Sequence, residues 1–150
     1  MKSLLTPSLL ESWQVWALLS AVFAAATAIL AKVGVVAIEP DTATFIRTVV
    51  VLFALGGLLA ATGHWQAPTT IPAAGWLALV LSGLATGASW LCYFRALKLG
   101  DAARVAPLDK LSVVLVAVFG AILLGERLSW TNWLGVGLIA LGAVMVAWKG

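Results

Sequence analysis

Residues Gly100–Arg127 read GDAARVAPLDKLSVVLVAVFGAILLGER. We read them as a loop, a membrane-spanning helix and a second loop. Asp109 and Lys110 lie inside an otherwise apolar run. A charge at the bilayer centre costs about 2.5–3.5 kcal/mol, while each Val, Leu, Ile or Phe returns only about 0.3–0.6 kcal/mol. A dozen such residues can insert the helix, but the two charges still need partners, water or an interface. The rest of the chain is searched for those partners.

Composition sets the medium. Of 150 residues, 63% are hydrophobic and 10% charged, and the mean hydropathy is +1.08. Ordinary soluble domains are about 25% charged. So much apolar surface needs the bilayer as solvent. The net charge of +3 is spread over loops and helix ends, with no basic run to hold nucleic acid. The single cysteine, Cys92, excludes an internal disulfide and a multi-thiolate metal site. No cofactor and no metal site is expected.

Residues 1–12 are a short polar-apolar lead containing Pro7 and Glu11. Lys2 ahead of an apolar run, with Ala24-Ala25-Ala26 as a cleavage site, offers a signal-peptide reading. Glu11 interrupts that pattern, so a first membrane span is preferred. It covers about Trp13–Val36, with Trp13 and Trp16 at the interface and Ala21, Ala24, Ala25 and Ala28 leaving room for neighbours. Lys32, in its last turns, either snorkels to headgroups or points into a cavity.

Glu39-Pro40-Asp41 separates this span from the next, about Thr42–Thr62, with Asp41 or Thr42 as the expected N-cap. Thr44, Arg47 and Thr48 fall at i, i+3, i+4 and give one polar face. Arg47 lies about 9 Å along the helix from Asp41. A guanidinium at that depth favours a carboxylate partner, with snorkelling as the alternative. His64, in the loop Gly63–Thr70, has no companion ligand or nucleophile and reads as solvated.

The third span, about Pro72–Leu97, aligns Ser82, Thr86, Ser89 and Tyr93 on one face, with Gly83, Gly87 and Trp90 beside them. Such a face serves helix packing or a substrate wall with Trp90 as a flat apolar surface. In the fourth helix Asp101 can cap the start, and Pro107 frees the Ala103 carbonyl, so a kink is expected near Asp109. Adjacent residues are about 100° apart, so Asp109 and Lys110 face differently and need not pair. Gly125-Glu126-Arg127 turns into a last span, about Thr131–Lys149. Gly135, Gly137 and Gly142 leave one side of it nearly bare, inviting another helix.

Five spans alternate the loops between two sides. Arg95, Lys98, Arg104, Lys149, Lys32 and Arg47 belong to one side, against Lys2 and Arg127 on the other. Six against two predicts that the first is cytoplasmic, with the N-terminus outside and the C-terminus inside. Lys32, Arg47, Asp109 and Lys110 then lie at comparable depth. This favours an Arg47–Asp109 or Lys32–Asp109 pair. The expected fold is an all-α integral membrane protein with five transmembrane helices and no internal repeat.

GDAARVAPLDKLSVV, followed by LLGERLSW and a glycine-rich last helix, resembles the EamA domain of the drug/metabolite transporter (DMT) superfamily. WALLSAVFAAATAILAKVG and ATFIRTVVV resemble its first two helices, and the resemblance runs from about Trp13 to Trp148. It implies a single EamA-like half-transporter bundle in a bacterial-type inner membrane, where many relatives carry two such units. An odd number of spans makes two fused copies inverted to each other, a recurring transporter plan. One unit alone implies a homodimer or pairing with an inverted homologue. The expected function is transport of a small metabolite, most simply export by alternating access. Arg47, Asp109 and Lys110 would bind a charged group or coupling proton, Trp90 and Tyr93 the apolar part, and Lys32 is a further candidate. A non-catalytic helper subunit is the second reading. With no nucleophile–histidine–carboxylate set, an enzyme is not expected.

Overall fold

Residues 39–44 show how the elements start. Pro40 has its φ preset for the first helical position and no N–H to satisfy there, and it opens helix α2, Pro40–Thr62, with Glu39 as N-cap. The cap therefore falls earlier than Asp41 or Thr42. Asp41 is freed for a contact described below. The computed structural model describes residues 12–148, so the N-terminal lead before Ser12, and Lys149 and Gly150, lie outside the described residues.

The remaining elements are α1 (Trp13–Gly34), α3 (Ala73–Leu99), α4 (Ala102–Asp109), α5 (Ser112–Leu123) and α6 (Trp130–Ala147), with a 3₁₀ turn at Pro68–Thr70. The expected spans are thus met with ends displaced by at most two residues. α4 and α5 together form one apolar stretch, Ala102–Leu123, giving five stretches among the described residues that are long and apolar enough to cross a membrane. Gly63 and Gly125 close α2 and α5 at φ +68° and +70°, a backbone region that residues with a Cβ rarely enter.

The fourth span breaks where Pro107 predicts. Beyond Asp109 the amides of Lys110, Leu111, Val113 and Val114 bond three residues back, a tightened turn, before α5 resumes. Asp101 occupies the N-cap of α4 without a side-chain capping bond.

Packing is concentrated at one end of the bundle. Val35, Ala43, Phe94 and Leu97 form the buried cluster, with Ala31, Tyr93, Ala102 and Val105 against it. These residues come from the end of α1, the start of α2, the end of α3 and the start of α4, so those four termini meet. Among the described residues, Gly120 is the buried residue that lies at the opposite end. The helices otherwise present Leu, Val, Ile, Phe and Trp outward: Phe23, Phe53 and Leu84 are each more than two-thirds exposed. The chain exposes 11894 Å², where a compact soluble protein of this mass shows about 7,300 Å². The exposed apolar helix surface is suited to lipid or to another subunit.

Candidate functional site

The helices α1, α2, α3 and the α4–α5 break enclose a polar cavity of about 210 Å³. Ala24 and Thr27 come from α1, Arg47 from α2, Ser89, Trp90 and Tyr93 from α3, and Asp109 and Lys110 from the break. Arg47 lies seven residues into α2 and Trp90 nine before the end of α3. The cavity thus sits about 10–14 Å inside that end by helical rise, short of the middle of a hydrocarbon core about 30 Å thick.

Arg47 is the central cation. Its neighbours Thr44 and Thr48 spend their hydroxyls on backbone carbonyls four residues back, at 2.8 Å each, so the polar face of α2 reduces to the guanidinium. That group lies 4.2 Å from the centre of the Trp90 ring and 5.6 Å from that of Phe94. Aromatic faces stabilise the cation by about 0.5–2 kcal/mol. The expected Arg47–Asp109 ion pair is not formed; the two residues line the same cavity instead. Asp109 and Lys110, which helical spacing does not require to pair, do so at a long 3.4 Å. The helix break lets the lysine stem bend back toward its neighbour.

Ser82, Thr86, Ser89 and Tyr93 divide between the two roles considered for them. Ser89 and Tyr93 line the cavity with Trp90. Ser82 and Thr86 are exposed, and Thr86 bonds the Ser82 carbonyl at 2.9 Å. A Cβ at Gly83 or Gly87 would meet nothing within 4 Å.

A fold of this kind with charges inside its spans fits a known sequence pattern. The EamA-like transporter family profile matches residues 11–148. The chain belongs to the EamA-like transporter family. A protein described as "Uncharacterized transporter in cobO 3'region", from a Sinorhizobium species, is 66% identical over 137 residues, covering 91% of this chain and 97% of the relative. No solved structure matches. This EamA-like chain is therefore an integral membrane protein and, by family, a membrane transporter; membership points to transport rather than catalysis.

Lys32 lies outside the cavity of this EamA-like bundle, in neither of the two places considered for it. Its ammonium donates to the carbonyls of Leu97 and Gly100 at 2.7 and 2.8 Å, which end α3 without helical partners. Lys98 returns the arrangement. It donates to the carbonyls of Val35 and Val36 at 2.8 and 3.1 Å, just past the end of α1. Each helix thus carries the cation that closes the other, where the helix dipole favours positive charge. Beside them Arg95 grips Asp41 with two bonds, of 3.1 and 2.8 Å. Lys98, Arg95 and Asp41 carry no cavity signal in the sequence; a basic last turn and an acidic first turn are their only hints. Thr27 and Ala24 are hidden in a run of small apolar residues.

Proposed function

We propose that this chain is one half of an exporter of small metabolites, working as a dimer by alternating access in a bacterial-type inner membrane. Substrate or a coupling proton engages the cavity around Arg47, Asp109 and Lys110, with Trp90 and Tyr93 against the apolar part. The observation that carries this reading is the cavity itself. Three charged groups from two separate spans line one space inside the apolar stretches, where charges mark substrate or ion pathways. The broken fourth span beside it supports the same reading, since discontinuous helices border transporter sites.

Dimerisation draws support from α6. A Cβ at Gly135, Gly137 or Gly142 would meet nothing within 4 Å, so another helix can approach closely there. The match to the Sinorhizobium relative covers 97% of that protein's length. The charge bias supports one orientation, N-terminus outside and C-terminus cytoplasmic. Parallel subunits or an inverted homologue then complete the pair.

The test is flux in reconstituted vesicles. Wild-type protein accumulates or releases a metabolite that empty vesicles do not, and Asp109→Asn abolishes the pH dependence of that flux. Transport surviving Asp109→Asn unchanged at every pH removes the coupling role. The open face of α6 equally suits a helper subunit. Purification in fixed ratio with an unrelated membrane protein, without flux alone, would favour that second reading.

A further inference from the structure

We infer that the cavity takes a small monoanion with an apolar body, a monocarboxylate, held head-on by the edge of the Arg47 guanidinium. The inference deepens the transport reading and rests on it only for the choice of cavity. Three observations lead to it.

Charge balance comes first. Of the three charged groups in the cavity, Asp109 and Lys110 neutralise each other at 3.4 Å. Arg47 has no carboxylate within ion-pair distance among the described residues, and its near contacts are the rings of Trp90 and Phe94. The cavity lining therefore carries one uncompensated positive charge. A monoanion brings it to neutrality, a dianion overshoots and a cation adds to it.

The donors of Arg47 supply the geometry. Its guanidinium carbon lies over the Trp90 ring, 4.2 Å from the ring centre. No hydrogen-bond acceptor among the described residues takes its N–H groups, so they remain open to a carboxylate fork. The ring of Trp90 also fixes the guanidinium, so less side-chain freedom is lost on binding.

The third observation is a second space. A mainly apolar groove of about 330 Å³ between α1 and α2 shares Thr27 and Arg47 with the polar cavity. Leu30, Ile38, Ile46 and Phe94 are among its walls. Arg47 thus stands between a polar chamber and an apolar one, the arrangement that suits a charged head joined to an apolar body.

The experiment measures binding without flux, by calorimetry on the full chain in phosphatidylcholine nanodiscs. The probes are phenylacetate, acetate, 2-phenylethanol and phenethylammonium, matched so that head charge and apolar body vary separately. Phenylacetate is expected to bind at least about tenfold more tightly than each of the other three, the scale of one charge-assisted hydrogen bond. Arg47→Gln is expected to remove that preference and Arg47→Lys to retain part of it, with both variants checked for a cooperative thermal melt. Should they fail to fold, the four-probe ranking on the wild type still decides. Phenethylammonium binding best, no probe binding, or a folded Arg47→Gln that keeps the phenylacetate preference overturns the inference. So does displacement of phenylacetate when phosphatidylglycerol replaces part of the phosphatidylcholine, because a lipid headgroup then holds the site. Phenylacetate binding with no flux of any compound would instead defeat the transport reading alone. Flux of a cation would spare transport and remove the anion site.

Discussion

Replacing Lys32 by Met keeps the length and apolar stem of the side chain and deletes the ammonium that reaches α3. Two bonds are lost, to the Leu97 and Gly100 carbonyls at 2.7 and 2.8 Å. A hydrogen bond involving an ionised group contributes roughly 1.5–3 kcal/mol, and the half-buried position of Lys32 calls for the lower end. Two bonds then give about 3 kcal/mol, and the dipole at the end of α3 adds about 0.3–1 kcal/mol. Releasing the ordered lysine stem returns up to about 2 kcal/mol. The net loss is on the order of 2 kcal/mol, roughly 30-fold in the ratio of folded to unfolded protein. The assay is unfolding in mixed micelles titrated with sodium dodecyl sulfate, followed by circular dichroism. Lys98→Met removes the reciprocal bonds at the end of α1 and should cost a similar amount. Because both lysines tie the same two helix ends, the double variant should lose less than the sum of the two. A Lys32→Met protein within about 0.5 kcal/mol of wild type, the usual range for an unengaged surface site, would show that Lys32 merely snorkels and that the caps hold nothing.

Other expectations follow from the same geometry. Trp90→Leu should destabilise by about 0.5–2 kcal/mol through loss of the ring beneath Arg47, and Trp90→Phe by less; equal losses in the same titration would refute a role for the ring face. A Cβ at Gly120 would lie 2.6 Å from Glu126 Oε2, but that carboxylate ends a flexible chain and can swing away. Gly120→Ala should therefore stay within about 1 kcal/mol, and a larger loss would mean Glu126 is held. Asp41→Asn should change stability little, and less still at high salt, because the Asp41 and Arg95 side chains are 58% and 62% exposed. Reporters at both ends of the chain should find the N-terminus outside and the C-terminus inside, and signal for both orientations would undo the reading of the charge bias.

The spans are legible because hydropathy and length suffice for them, and Pro107 announces the break in the fourth. Depth is legible too. Counting residues from helix ends brings Arg47, Asp109 and Lys110 level, and helical spacing adds Ser89, Trp90 and Tyr93 on one side of α3. The pairing within that layer is not legible. The sequence favours a carboxylate for Arg47, whereas the structure gives it an aromatic face, and which one it meets depends on how α2 is rotated against α3. Lys32 is harder still. Its acceptors are backbone carbonyls 65 and 68 residues away, and any residue type supplies a carbonyl. Only the meeting of two helix ends creates that partner, and no local pattern encodes such a meeting.

The crowding of polar ties and buried side chains at one end has a mechanical result. The bundle resembles a fan riveted at its handle, with Lys32 and Lys98 as rivets and the blades joined by fewer buried contacts. Spacing at the wide end is then set by what surrounds it, so thinner or thicker bilayers should alter the tilt of the blades while leaving the handle unmoved.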